Sequence, residues 1–195
     1  YKSFDVSDFD TDSSITIQDM YNKEKFITYN NRSFIEETDL ASIFNKEDSF
    51  LRPVFTCCKD YDFISGKNIS TNFKNSLHFR HFLYVVDGEL ELYLSPPKST
   101  KFLNYRYNHD SFENETYMNP FDEETQKSIA FDKIKPEKVV LKKGEMLFVP
   151  SSWYYSYKMN DATNILSLKY RTFMNVVTLI PNYINHIYNR ISIDK

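Results

Sequence analysis

Only three glycines occur in 195 residues, so no Gly-rich phosphate loop can be assembled, and each glycine is expected to mark a particular turn. Cysteine is as scarce. The two present, Cys57 and Cys58, are adjacent; neighbours rarely pair with each other, and no second Cys or His pair stands at zinc spacing. They read as two reduced thiols at a strand end. There is no basic excess: 24 Lys and Arg against 27 Asp and Glu leave a net charge of −3, which disfavours nucleic acid as a partner. No apolar run approaches the ~18 residues that span a bilayer, and no signal-peptide pattern is present. The chain opens on YKSFDV without Met, so a membrane segment, if there is one, is expected upstream of Tyr1. No G-x-S-x-G elbow occurs, and Asp8, Asp10 and Asp12 lack the glycine and glutamate that would complete a calcium loop.

What the chain has is aromatic bulk, 15 Tyr and 17 Phe, in a length suited to one domain with a sizeable core. Residues 1–13 read as an acidic extended segment or loop, with Ser14 able to cap a short helix behind it. Ser33 and Glu36 form a capping box, and Phe34, Leu40, Ile43 and Phe44 fall near helical spacing, so a helix is predicted over 33–46. FLYVVDGELELYLSPP alternates on either side of Asp87-Gly88, a turn dipeptide, and predicts a hairpin of strands 81–86 and 89–94 stopped by Pro96-Pro97. EKVVLKKGEMLFVP predicts a second hairpin at Lys143-Gly144, and NILSLKYRTFMNVV a further strand. Residues 98–137 form a long polar excursion, functional or covering, with a short helix or turn at AFDKI. Ile180, Ile184, Ile187 and Ile191 mark a terminal helix near 180–192. The fold class expected is mainly β within an α+β layout: a sandwich or barrel with helices at both ends. The expected division is a flanking segment with helices at 1–50, a core at 51–178 interrupted at 98–137, and a C-terminal helix at 179–195.

HFLYVVDGELELYLSPPKS resembles the strand pair that follows the first metal ligand in the cupin-like, JmjC-related dioxygenases, and GEMLFVPSSWYYSYK resembles their later strand pair. The resemblance covers about residues 50–178. More narrowly, FIEETDL, FLRP, YDFISGKN, SPPKSTKFL, MNPF and SLKYRTFMN resemble cupin-like proteins of giant DNA viruses of protists. The fold implied is a double-stranded β-helix, two facing antiparallel sheets with a pocket between them. In active relatives that pocket holds Fe(II) on two His and one carboxylate, with open positions for 2-oxoglutarate and oxygen.

Carried onto this sequence, that triad finds poor counterparts. Taking Thr71-Asn72-Phe73 as the family's Thr-Pro-Leu puts the first histidine on Lys74 and the carboxylate on Ser76; an ungapped count back from the 81–86 strand gives Asn75 and Leu77 instead. The last histidine falls on Ser156, or on Tyr155 if the register slips by one. None of these is a usual Fe(II) ligand. A deletion would bring His78 to the first position, but with Arg80 at the carboxylate position, where a guanidinium repels a cation. His78 and His81 stand three apart, and in a strand such residues face opposite sides. His109 and His186 read as structural or solvent-facing. No metal and no catalytic residue is expected, and His78 is the residue a metal-binding rival would use.

Lys169 and Arg171 share one strand face, with Tyr170 on the other. The resemblance implies that one of them is the counterpart of the base that pairs with the far carboxylate of 2-oxoglutarate; if both point outward, they are solvated charges. Trp153, Tyr154, Tyr155 and Tyr157, with Tyr84 and Tyr93, either stack a planar or sugar-like ligand or fill the volume of a lost site, and filling is the reading preferred. The pocket candidates are thus Trp153, Tyr155, Tyr157, Lys169 and Arg171. The expectation is a non-catalytic cupin without cofactor, a structural or interaction module with protein partners in a viral particle or a membrane-associated assembly, in the virion or the infected-cell cytoplasm. The rivals are an Fe(II)/2-oxoglutarate oxygenase with unconventional ligands and a cupin that binds a small anion or sugar.

Overall fold

The computed structural model describes residues 3–8, 11–16, 22–29, 35, 38, 45–108, 113–181 and 184, and about half of them lie in strands. In chain order they are β1 (Ser3–Asp8), β2 (Thr11–Thr16), β3 (Phe26–Thr28), β4 (Thr56–Lys67), β5 (Ile69–Ser70), β6 (Lys74–Ser76) and β7 (Arg80–Asp87). There follow β8 (Glu89–Ser95), β9 (Tyr105–Asn108), β10 (Glu113–Thr116), β11 (Glu137–Lys142), β12 (Met146–Pro150), β13 (Tyr154–Met159) and β14 (Thr163–Thr172). Among the described residues, helices α1 (Asn45–Leu51), α2 (Glu123–Gln126) and α3 (Ile129–Ile134) and a 3-10 turn at Pro97–Phe102 lie between them. Residues 173–181 are helical.

The strands form two antiparallel sheets. The first runs β12-β7-β14-β4-β3-β1-β2; the second runs β11-β8-β13-β6-β10-β9, with β5 alongside β13. Mainly β, with two facing sheets and few helices, this is the double-stranded β-helix architecture.

Leu83 and Val85 of β7, Leu90 and Leu92 of β8, Tyr155, Tyr157 and Met159 of β13 and Ile165 of β14 meet in one buried cluster between the sheets. Each aliphatic residue that is fully buried there contributes about 1.5–3 kcal/mol relative to exposure. The outer faces are covered as well. Ile35 and Leu51 pack on Leu166, Leu168 and Tyr170 outside the first sheet. Leu103 and Ile134, from the 98–137 excursion, pack on Tyr154 and Phe73 outside the second. This is why the strands are apolar on both faces.

The two predicted hairpins are corners instead. β7 pairs with β12 and β14 in the first sheet, whereas β8 pairs with β11 and β13 in the second. The chain crosses from one sheet to the other at Gly88 and back at Gly144, so the β7–β8 ribbon lies antiparallel to the β11–β12 ribbon. The corners are joined directly: the Gly144 N–H donates to the Val85 carbonyl at 2.8 Å and the Val85 N–H to the Glu145 carbonyl at 3.0 Å. Both glycines have positive φ, 88° and 87°. A turn dipeptide reports this backbone conformation and does not say which strands pair across it.

Other expectations shift. Ser14 lies within β2, which pairs with β1, so it caps no helix. The predicted helix over 33–46 lies mostly outside the described residues; helical structure is described at Ile35 and over α1. The helix placed near 180–192 is described from residue 173 to 181 and at Ile184, and its remainder lies outside the described residues. AFDKI is helical within α3, its Ser128 cap accepting from the Phe131 N–H. The excursion carries β9 and β10, which extend the second sheet from β6.

Candidate binding cavity in the barrel

The barrel retains a cavity of about 690 Å³. Strand pleat decides what lines it. On β14, Ser167 and Lys169 point in, and on β7 His81 and Leu83 do. Lys74 of β6, Tyr155 and Tyr157 of β13 and Glu113 of β10 add polar groups, while Ile27, Ile64 and Ile69 supply apolar wall.

Glu113 is the hub. Its Oε1 accepts from Lys169 Nζ at 2.8 Å and from the Tyr155 hydroxyl at 3.0 Å. Lys74 Nζ stands 3.9 Å from Oε2 and lies over the Tyr157 and Tyr155 rings, 5.0 and 5.5 Å from their centroids. Burial opposes ionisation of Glu113, but the Lys169 and Lys74 ammonium groups outweigh it and hold its carboxyl well below the usual range. Burial likewise works against the charge of Lys74, and the phenolic oxygens of Tyr155 and Tyr157 and the Glu113 carboxylate outweigh it, so its pKa rises. Burial, then the neighbouring Glu113, pushes the Tyr155 phenol up. The site is thus two lysines around one carboxylate, beneath a Tyr155 phenol that burial keeps un-ionised.

The two buried histidines stay neutral. His81 meets Ser167 Oγ through Nε2 at 2.9 Å, stacks edge-on against Tyr155 with centroids 5.1 Å apart, and leaves Nδ1 without a partner. Burial and then Lys169 hold its pKa well below the ordinary value. His78 has both nitrogens engaged, Nδ1 with Ser76 Oγ at 2.9 Å and Nε2 with Arg171 at 3.0 Å. Since the arginine donates, Nε2 accepts and Nδ1 carries the proton. Burial, then Arg171 and Lys169, push the His78 pKa down to about 3. The strand rule that set the two histidines on opposite faces does not apply, because His78 lies in a bend before β7. Both reach the inner face of β14, His81 at Ser167 and His78 at Arg171.

The sequence candidates separate accordingly. Lys74, Tyr155, Tyr157 and Lys169 line the cavity. Ser76 and Arg171 flank His78. Ser156 takes the opposite face of β13 from Tyr155, and its hydroxyl donates to the Thr71 carbonyl. A one-residue slip in register exchanges the two faces of a strand, and of the two candidates Tyr155 is the one that faces the inner cluster. Asn75, the alternative to Lys74, sits between the two inward positions of β6, and its amide donates to the Ser152 carbonyl. Trp153 packs on the edge of the inner cluster without lining the cavity. Tyr84 belongs to the outer face of the first sheet, and Tyr93 and Tyr154 to that of the second. The six aromatics do not form one surface, and those that point inward leave the barrel unfilled.

Glu113 escaped the sequence reading. It lies in a polar excursion where Glu115, two residues on, carries the same side chain and is exposed while Glu113 is buried. Among the described residues, no three His, Cys, Asp or Glu side chains converge as a metal-holding group.

The model of the cupin-like domain family matches residues 16–172. No curated protein matches the sequence. Among solved structures, hydroquinone 1,2-dioxygenase from Sphingomonas sp. TTNP3 with 4-hydroxybenzoate bound is similar at 12% identity and TM-score 0.37, over 62% of this chain and 67% of that one. The cupin domain of Drosophila melanogaster CENP-C is similar at 12% identity and TM-score 0.34, over 56% of this chain and 59% of that one. The Fe(II) form of HppE is similar at 11% identity and TM-score 0.33, over 57% and 43%.

Proposed function

For this chain, which belongs to the cupin-like domain family, we propose a non-catalytic role in which the barrel binds a small polar molecule. The observation that carries the reading is the lined cavity with Lys74, Glu113 and Lys169 at its inner end. Its volume falls within the range of small-molecule sites, about 300–1,000 Å³.

Ferrous iron does not fit these residues. Lys74, one of the positions to which the resemblance assigns the family's first histidine, carries an ammonium, and the nearby Glu113 carboxylate is taken by Lys169 and Tyr155. His78 has no ring nitrogen left to offer. A metal at this point would face two cations and would have to displace an ion pair. Fe(II) and 2-oxoglutarate are accordingly given no part here.

The resemblance to giant-virus relatives makes a virus-encoded accessory protein the proposed setting, in the virion or the infected-cell cytoplasm. An interaction role with protein partners, in a particle or a membrane-associated assembly, is the second reading. It is favoured by Phe50, Phe55 and Met174, which are 85%, 78% and 73% exposed. The Phe173 N–H donates to the Phe55 carbonyl at 3.3 Å, which brings the last two segments together. No helix among the described residues is long and apolar enough to cross a membrane.

Anaerobic Fe(II) titration by calorimetry, with a succinate-release assay on 2-oxoglutarate, tests the non-catalytic reading. No stoichiometric heat and no turnover are expected. Stoichiometric iron binding that is lost on His81→Ala or Glu113→Ala would overturn it.

A further inference from the structure

We propose that the cavity selects a compact monocarboxylate with an apolar body, its carboxylate seated on the Lys74 ammonium. This inference rests on the reading of the barrel as a binding cavity.

The two lysines are not equivalent. Lys169 is held by Glu113 at 2.8 Å, a charge-assisted hydrogen bond of full strength. Lys74 stands at 3.9 Å from the same carboxylate, beyond hydrogen-bond reach, and its side chain keeps 20% of its surface exposed. Tyr157 engages one of the three Lys74 N–H donors, and the ammonium can still take a further oxygen ligand without displacing Glu113. A carboxylate there would give the Lys74 ammonium the hydrogen-bonded oxygen that Glu113, at 3.9 Å, does not supply.

The remainder of the lining limits the ligand to one such group. Asp62 of the first sheet and Glu115 of the second, the latter across from Lys74 in the β6–β10 pair, also line the cavity, and a second ligand carboxylate would add to the like charge already there. Asp62 already has an interaction of its own. Part of the remaining lining is apolar: Ile27, Ile64, Ile69 and Leu83. Burying a short hydrocarbon body against these side chains is favourable by about 25 cal/mol per Å². The Tyr155 and Tyr157 rings bridge the two regions, since they already face the Lys74 ammonium.

The test compares three probes of similar size, hexanoate, 1-hexanol and glutarate, by calorimetry and amide chemical-shift mapping on the full chain at pH 7. One hexanoate should bind per chain, about tenfold or more tighter than either 1-hexanol or glutarate. Lys74→Met should bring hexanoate down to the level of 1-hexanol, and Lys74→Arg should retain most of the preference. Glutarate or 1-hexanol equalling hexanoate would overturn the ligand class while leaving a binding barrel intact. Silence from all three would overturn the ligand class together with the binding reading beneath it. If Lys74→Met does not fold, as judged by circular dichroism, the ranking of the probes on the unaltered chain still decides.

Discussion

Lys169 of the first sheet and Glu113 of the second meet at 2.8 Å inside the barrel. Their side chains are 13% and 5% exposed, so the bond ties the two sheets together in a medium where an unpaired charge is costly. Glu113 comes from the 98–137 excursion, which is thereby fastened into the barrel interior and packs outside it as well.

Breaking that pair from one side should cost more than removing it whole. Glu113→Ala leaves the Lys169 ammonium buried without its hydrogen-bond partner and is expected to lose about 3–5 kcal/mol; Lys169→Met leaves Glu113 the Tyr155 hydroxyl and the more distant Lys74 and should lose less, about 1–3 kcal/mol. The double variant should be no less stable than the worse single one. Urea unfolding of the four proteins checks this; additive losses would show that the two residues act independently.

The acid limb of stability should begin with the histidines. His78 has a folded pKa of about 3 against an ordinary 6.5, and His81 is shifted in the same direction. A depressed folded pKa means that the unfolded chain takes up the proton first. Stability is then complete above pH 6.5 and falls as pH drops toward 3, by about 1.4 kcal/mol per pH unit for each such histidine once well below 6.5. Glu113 adds to the loss only below its ordinary 4.5, so the interval from pH 6.5 to 4.5 isolates the imidazoles. Urea midpoints should decline across it, and His78→Gln should flatten the slope; a midpoint constant from pH 7 to 5 would count against neutral buried rings.

The corner glycines should differ. A Cβ on Gly88 would lie 2.7 Å from Thr163 Oγ1 and 2.9 Å from the Ala162 carbonyl, whereas nothing lies within 4 Å of one on Gly144. Thr163 is fixed there because its hydroxyl donates to the Glu89 carbonyl at 3.0 Å. Gly144→Ala should cost only the backbone strain of positive φ, about 1–2 kcal/mol. Gly88→Ala carries that strain and a clash with backbone, so thermal unfolding should put it clearly below Gly144→Ala.

Strand existence was legible in the sequence because alternation is local: Leu83 and Val85 in, Phe82 and Tyr84 out. Pairing was not, because a ribbon that turns at Asp87-Gly88 looks the same whether it closes a hairpin or passes to the opposite sheet. Within the site, the two strand-borne cations were legible as a face, Lys169 with Arg171, but the depth at which each sits was not. Lys169 reaches Glu113, while Arg171, two residues on, reaches His78. Tyr155 and Ser156 show the same limit more sharply. The stretch WYYSYK gives the alternation and leaves its phase open, and only packing of Tyr154 beneath the excursion fixes which tyrosine turns inward.

Asp48 supplies the last test, because one carboxylate of α1 holds the outer face of the first sheet. It accepts from Tyr170 at 2.9 Å, from Lys59 at 2.7 Å and from the Tyr61 hydroxyl. Burial works against its charge, but these hydrogen bonds outweigh it and hold its pKa below the ordinary value. Tyr170→Phe removes one donor, and the carboxylate keeps two, so a loss of about 1–2 kcal/mol is expected. Asp48→Ala leaves the Tyr170 and Tyr61 hydroxyls without their acceptor and releases α1 from β4 and β14, so its loss should be larger, about 3 kcal/mol. Because both changes act at one carboxylate, Tyr170→Phe in the Asp48→Ala background should cost little further. Amide hydrogen exchange gives the discriminating readout: α1 should lose protection in Asp48→Ala while the β7–β14 pairing keeps it. Equal loss of protection across the barrel would mean that Asp48 supports the whole core rather than the seating of one helix.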